Sequence, residues 1–323
     1  MTRKYFLCIT LALAAAADVA SAVAQTYPSK PIRLIIGFPP GGGADIVARQ
    51  LTPKLGEQLG QQVVIDNRAG AGGNIALEML ATALPDGYTL MMTTPTVTVN
   101  PALYPKLGYN TLKDFTAVRL VASTAYILVV HPSVPAKTVQ ELIALAKAKP
   151  RQLNYSSGGN GAAAHLAGAL FLSMTGVEMT HIPYKGVAPS LVALLSGEVQ
   201  LTFSSQPSTI PLIKEGRLRP LGITSAKRSG FTPDIPTIAE SGVPGYESTA
   251  WYGVIAPART PAAIIARLNL ELTKMLDQPD IKAAIAAQSF EILPSNPEQF
   301  NGFIKTELVK WAKVVKESGM RIE

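Results

Sequence analysis

The sequence predicts an α/β protein of two domains, each a mostly parallel sheet flanked by helices, with a ligand cleft between them. Three observations predict it. Strand-like and helix-like stretches alternate through both halves of the chain, an order that builds parallel sheets covered on both faces. Glycine-rich turns follow strands and open helices in both halves, at "FPPGGGAD" and "SSGGNGAAA". Ligands of open α/β sheets sit where such loops leave the carboxyl ends of strands. Finally, a chain of 323 residues is longer than one core usually serves.

The first 24 residues stand apart. "MTRK" is a basic start, "YFLCITLALAAAA" an apolar run too short to span a bilayer, and Ala22-Val23-Ala24 before Gln25 a small-x-small cleavage site. This reads as a secretory signal peptide and places the mature chain in the periplasm. Cys8 lies inside the apolar run, away from the cleavage site, which argues against a lipoprotein. Cleavage removes the only cysteine, so disulfides, a thiol nucleophile and a cysteine metal site are excluded.

From Ile32 the pattern runs strand ("IRLIIGF"), helix (Ala44 to Leu59), strand ("QVVIDN"), helix (Ile75 to Leu84), strand ("YTLMMTT"). "VRLVASTAYILVVHP" is too long for one ordinary strand and is read as a passage between domains. A second alternation follows. The helix "TVQELIALAKAKP" leads to the strand "QLNYSS", and a glycine turn feeds the helix that stops at Gly176. "EMTHIPYKG" is strand and loop, "APSLVALLSGE" a short helix, "VQLTFSS" a strand, "PSTIPLIKEG" a helix and "LRPLGITS" a strand. A proline- and glycine-rich connector leads to the returning strand "STAWYGVIAPA" and three helices, Pro261 to Leu276, Asp280 to Gln288 and Pro297 to Ser318. The expected division is residues 27–125 plus 226–323 as one domain and 126–225 as the other.

Composition narrows the chemistry. The formal charge is +7, with basic residues scattered and no aromatic interleaving; that excludes nucleic acid and mildly favours an acidic small molecule. His131, His165 and His181 are not at metal-ligand spacing, so no zinc site is expected. No G-x-S-x-G elbow and no G-x-x-x-x-G-K-[ST] loop occurs, so neither esterase nor nucleotide chemistry is indicated and no cofactor is implied. What remains is binding. Gly41, Gly42, Gly43 and Ala44 put N–H groups at a helix start, with Asp45 in the first turn; this is either a tight structural turn or an anion cradle. The second turn carries the same pair of readings, with Ser156, Ser157 and Asn160 as neutral polar neighbours and His165 in the helix behind. Tyr184 and Lys185, Thr93 to Thr96, and Ser204 and Ser205 in "FSSQPS" lie in loops at the same strand edge. Five converging loops are more specific than any one.

Several stretches together carry a resemblance: "YPSKPIRLIIGFPPGGGADIVARQL", "VIDNRAGAGGNIA", "NPALYPKLGYNTLKDF", "LVVHPSVPAKTVQELIALAKAKP", "HIPYKG", "TSAKRSGFTPDIPTIAESGVPGYE" and "WYGVIAPARTP". In this order they resemble the Bug family, the extracytoplasmic substrate-binding proteins of tripartite tricarboxylate transporters. The resemblance implies a two-domain periplasmic binding protein (Venus-flytrap) fold and a small organic acid held by loop N–H groups and waters. It points to the Phe38 to Asp45 loop with Pro40, the Ser157-Gly158-Gly159-Asn160-Gly161 loop, and Tyr184 with Lys185. It also implies membrane permease subunits as partners and no enzymatic step; a monomer is the expectation. Where many members carry an aspartate, Ser204 stands, which favours a plain carboxylic acid over an amino acid. A sensor of the same fold is the rival reading, ahead of an exported hydrolase.

Overall fold

The structure, a computed structural model, describes residues 27–318; the signal-peptide reading of residues 1–24 lies outside them. The chain opens with β1 (Ile32–Ile36), α1 (Gly43–Leu59), β2 (Val63–Asn67), α2 (Asn74–Ala81) and β3 (Thr89–Thr93). Strand β1 is apolar but for Arg33, whose guanidinium pairs with Asp66 on β2. Helix α1 turns Val47, Ala48, Leu51, Leu55 and Leu59 onto the sheet, the spacing that a 3.6-residue repeat dictates. It stops at Gly60, left-handed at φ 69°, as helices commonly end.

Next come α3 (Thr96–Leu103), α4 (Thr111–Asp114) and the 16-residue β4 (Phe115–Val130). The second alternation gives α5 (Val139–Ala148), β5 (Asn154–Ser157), α6 (Ala163–Thr175), β6 (Thr180–Pro183) and α7 (Val187–Leu195). It continues through β7 (Leu201–Ser205), α8 (Gln206–Lys214) and β8 (Arg219–Ile223). The return is β9 (Thr249–Pro257), α9 (Ala262–Leu276), α10 (Pro279–Ala287), β10 (Glu291–Ile292) and α11 (Pro297–Ser318).

The fold is α/β, with helices on both faces of a curled sheet of order β2-β1-β3-β9-β4-β7-β5-β6. The outer strands β2-β1-β3 and β7-β5-β6 pair in parallel. The centre is antiparallel, because β9 returns between β3 and β4 and because β4 meets β7 and β8 head to tail.

The long apolar stretch is one strand serving two sheets. From Phe115 to Ala125, β4 pairs with β9; from Tyr126 to Val130 it pairs with β7, and from Ile127 with β8. Register shifts near Arg119 and between Leu120 and Ala122 supply the bend, as bulges do. At the changeover Tyr126 and Thr224 are locked together: the Tyr126 N–H donates to Thr224 Oγ1 and the Thr224 N–H to the Tyr126 carbonyl, each at 2.8 Å.

The cores follow the same partition. One side of the first sheet buries Val47, Leu51, Leu268 and Leu272; the other buries Leu77, Trp251 and Phe300. Around the second sheet lie Leu142, Phe171 and Phe203 on one face and Ala193, Leu194 and Ile223 on the other. The connector before β9 contributes Ile238, Val243 and Tyr246 to the second of these partitions. Helix α11 straddles both, with Phe300 and Ile304 in the first and Trp311, Val314 and Val315 in the second.

Candidate functional site

A cavity of about 210 Å³ opens where the two sheets meet, below the roughly 300–1,000 Å³ of drug-sized ligand pockets. The triple glycine forms part of its wall, and its members have different reasons to be glycine. Gly41 sits at φ +83°, a conformation that penalises any Cβ. A Cβ on Gly43 would lie 2.1 Å from Tyr252 Oη, whereas one on Gly42 would meet nothing closer than the Pro39 carbonyl oxygen at 3.7 Å. The loop is therefore shaped by a turn at its start and by a phenol pressed against its end.

Asp45 fixes this loop from behind. Its buried carboxylate accepts from the Gly41 N–H (3.0 Å), Arg49 Nε (2.8 Å) and Asn67 Nδ2 (3.2 Å). Burial works against the charge, but the hydrogen bonds from Arg49, Gly41 and Asn67 prevail and hold the carboxyl below its usual range. Asp45 is thus a latch whose charge is already matched.

The second glycine loop is held by two histidines. The His165 and His181 rings stack at 3.9 Å and 3°, with Tyr155 4.9 Å from His181. His165 Nδ1 accepts the Gly161 N–H at 3.1 Å, which requires a neutral ring. Ser157 Oγ accepts the Gly159 N–H and lies 2.6 Å from His181 Nε2. Burial pushes His165 down to about 4; burial and the adjoining His165 push His181 to about 3. A Cβ on Gly158 would press on the backbone of Gly186 and Val187 at 3.2 Å, so this glycine admits the loop that precedes α7.

Four helices begin at the cavity: α1, α3, α6 and α7. Their N-cap residues are Gly42, Pro95, Ala162 and Gly186, and none makes a side-chain cap hydrogen bond. At α1, α6 and α7 first-turn N–H groups have no partner inside their helix, whereas at α3 the Val97 and Thr98 N–H groups already donate to the Thr94 and Pro95 carbonyls; each helix start carries roughly half a positive charge. Among the lining residues Lys185 is the one charged side chain, and none is acidic. A small anion is what such an end-on cluster accommodates.

The floor is made by strands. Tyr126 on β4 and Ala250 and Tyr252 on β9 line it, and the two phenols adjoin each other. Burial pushes Tyr126 up to about 12, and burial with Tyr126 alongside raises Tyr252 well above the usual phenol range. Both are neutral at any physiological pH.

Of the residues singled out in the sequence, Phe38, Pro40, Gly41, Gly42, Gly43, Ala44, Thr94, Gly158 and Lys185 line the cavity. Asp45, Ser157, Gly159, Gly161 and His165 stand behind the wall as its supports, by the bonds just given. Asn160 is not among the lining residues. Thr93 ends β3, fully buried, while Tyr184 turns outward to Glu198 at 2.7 Å. Ser204 and Ser205 do not reach the cavity. Ser204 is buried in β7 opposite Ile127, and Ser205 bonds Ser208 at the start of α8. Four of the five loops converge; the "FSSQPS" loop does not. Sequence reasoning missed Tyr126, Ala250 and Tyr252, which no local motif marks, and the run Gly186 to Pro189. That run had a signal: a glycine-led helix start directly after Lys185.

Among the described residues no group of three His, Cys, Asp or Glu is placed to hold a metal ion, and no helix is long and apolar enough to cross a membrane.

Known proteins resemble this chain. Protein BugT of Bordetella pertussis is 38% identical over 317 residues, covering 98% of this chain and 97% of its own. The structure resembles that of Rhodopseudomonas palustris Rpa4515 with adipate, with a TM-score of 0.86 and 38% identity over 91% of this chain and 99% of that one. It also resembles MatC (Rpa3494) from the same species with bound malate, with a TM-score of 0.83 and 31% identity over 90% and 100% of the respective chains. The family model of the tripartite tricarboxylate transporter family receptor, TctC, matches residues 47–320. With that match across most of its length, on an α/β frame whose two glycine loops meet at one cavity, the chain belongs to the TctC family of tripartite tricarboxylate transporter receptors, to which the Bug proteins belong.

Proposed function

We propose that this protein is a periplasmic receptor that captures a small carboxylate in the cavity and delivers it to a tripartite tricarboxylate-type membrane permease. The observation that carries this reading is the meeting of the helix starts of α1, α6 and α7, none with a side-chain cap, and Lys185 on a cavity with no acidic side chain. Adipate and malate in the related structures support the ligand class. The signal-peptide pattern at residues 1–24 supports export.

The receptor works as two lobes that share β4 and are bridged by α3 and α11. Residues 27–125 with the return from Ser248 form one, and residues 126–247 the other; the second-core packing of Ile238, Val243 and Tyr246 favours a boundary at Ser248 over one near residue 226. A carboxylate touching α1 from one lobe and α6 and α7 from the other gains contacts only when the lobes are together. It therefore shifts the population toward the closed form, and no bond is made or broken. N–H groups held by latches such as Asp45 need no reorganisation to meet the charge, which favours affinity.

The test is isothermal calorimetry and thermal shift on the mature chain with carboxylic acids, sugars and amines. Carboxylates are expected to bind and to raise the melting temperature, since a ligand selective for the folded state stabilises it. Binding of sugars or amines with none of carboxylates refutes the reading.

A further inference from the structure

The side chains around the cavity specify more than an anion. We propose that the ligand is an acid with a plain hydrocarbon body, bearing neither a hydroxyl nor an amino group; this rests on the carboxylate reading above.

The first reason is a shortage of acceptors. No Asp, Glu, Asn, Gln, Ser or His side chain lines the cavity. Its hydroxyls are only three: Thr94, which pairs with Thr96 at 3.0 Å, and the adjoining phenols of Tyr126 and Tyr252. At a helix start the N–H groups face the ligand and the carbonyls run away down the axis. Among the lining side chains a ligand O–H or N–H donor would therefore have only these hydroxyl oxygens to reach, and a buried donor that misses them bears its full desolvation penalty.

The second reason is charge. A ligand ammonium would stand among helix starts and Lys185, all of positive sign, and the nearby carboxylate of Asp45 is bound up with Gly41, Arg49 and Asn67. The third is the wall itself. Phe38, Pro40, Ala163, Val187, Pro189 and Ala250 offer carbon to whatever lies between them. Each methylene buried there strengthens binding by about fourfold. The Ser204 argument from sequence reached the same exclusion of an amino acid from a residue that does not line the cavity; the lining residues support it independently and extend it to hydroxy acids.

The experiment uses matched acids that differ by one substituent, titrated into the mature protein by calorimetry: succinate, malate and aspartate; glutarate, 2-hydroxyglutarate and glutamate; adipate and 2-aminoadipate. Hexanoate and benzoate are added to cover acids with one carboxylate. In whichever length binds, the plain acid is expected to bind at least tenfold more tightly than its hydroxy and amino congeners, approaching the roughly hundredfold by which an apolar pocket rejects an added hydroxyl. If the only binders are hexanoate or benzoate, 3-hydroxyhexanoate and salicylate serve as the congeners with the same expectation. A hydroxy or amino congener that binds as tightly as its plain partner overturns this inference while leaving the carboxylate reading in place. No binding by any acid in the panel overturns both.

Discussion

Replacing Gly43 with alanine tests the geometry of the cradle most directly. The added Cβ would lie 2.1 Å from Tyr252 Oη, 2.7 Å from Cζ and 3.2 Å from Cε1. Comfortable non-bonded contact needs about 3.5–4.0 Å. Tyr252 has little room to retreat: it is buried, its ring meets Phe290 edge-on at 5.5 Å, and Tyr126 adjoins it. Overpacking of this kind costs about 1–3 kcal/mol. Alanine is otherwise the better helix residue, by up to about 1 kcal/mol, so the net effect is smaller than the clash alone but of the same sign. The expected result is a melting temperature lower by about 2–8 °C and carboxylate affinity reduced about tenfold or more, because the displaced phenol narrows the cavity. The diagnostic is the cycle with Tyr252→Phe, which removes the nearest atom. Gly43→Ala and Tyr252→Phe together should lose at least about 1 kcal/mol less than the sum of the two alone, measured by denaturant titration. Additive losses, or a Gly43→Ala protein that melts and binds as the parent does, would refute the close approach of Tyr252 to the loop.

Asp45→Asn removes the charge that holds Arg49 and weakens the latch on Gly41. We expect a loss of about 1–3 kcal/mol in chemical denaturation and weaker carboxylate binding. Because hydrogen bonds hold the Asp45 carboxyl below its usual range, its contribution is present above about pH 4 and lost as pH falls through the lowered value; the variant should lack that acid limb. His165 and His181 titrate near 4 and 3 when folded and near 6.5 when unfolded. The unfolded chain therefore takes up protons first, and stability should fall between pH 6.5 and 4 by about 1.4 kcal/mol per pH unit for each histidine. A double His165→Gln, His181→Gln variant should flatten that slope in melting curves, and an unchanged slope would refute neutral rings. Lys185→Met should weaken carboxylate binding about three- to tenfold, and less at high salt, because this side chain is exposed and screened.

Local patterns in the sequence predicted local structure well. "IRLIIGF" and "GADIVARQL" have the periods of a buried strand and an amphipathic helix, and β1 and α1 occupy them. Helix α3 was not legible. "TVTVNPAL" alternates β-branched residues and contains Pro101, a strand-like pattern. Long-range contacts overrule it: Val97 and Val99 are buried in different cores, and Asn100 Nδ2 bonds Asn74 Oδ1 at 2.7 Å. The loops of the site were visible because glycine at a strand-to-helix turn has few explanations. The direction of a strand side chain depends on register, which no short motif encodes. That is why Ser204 was expected in the cavity and is not there, while Tyr126 and Tyr252 were passed over and form its floor.

The placement of Tyr126 ties the cavity to the joint that the proposed two-lobe division puts in β4. It is the residue at which β4 leaves β9 and takes up β7, and its main chain is clamped to Thr224 at that changeover. Thr224 in turn accepts from the Ser248 N–H at 2.9 Å, where the chain enters β9. On the two-lobe mechanism proposed above, rotation would be absorbed at such crossings, since the paired interiors of the sheets cannot yield. The Tyr126 ring faces the ligand space and its hydroxyl meets Tyr252, which rests against Gly43 in the first lobe's cradle. A ligand on this floor therefore touches the joint as well as both walls. Tyr126→Phe should on this account alter the extent of ligand-induced closure, read as the change in radius of gyration by small-angle scattering, more than it alters the stability of the free protein. A variant that closes as the parent does while losing several kcal/mol of stability would make Tyr126 a packing residue and place the coupling elsewhere.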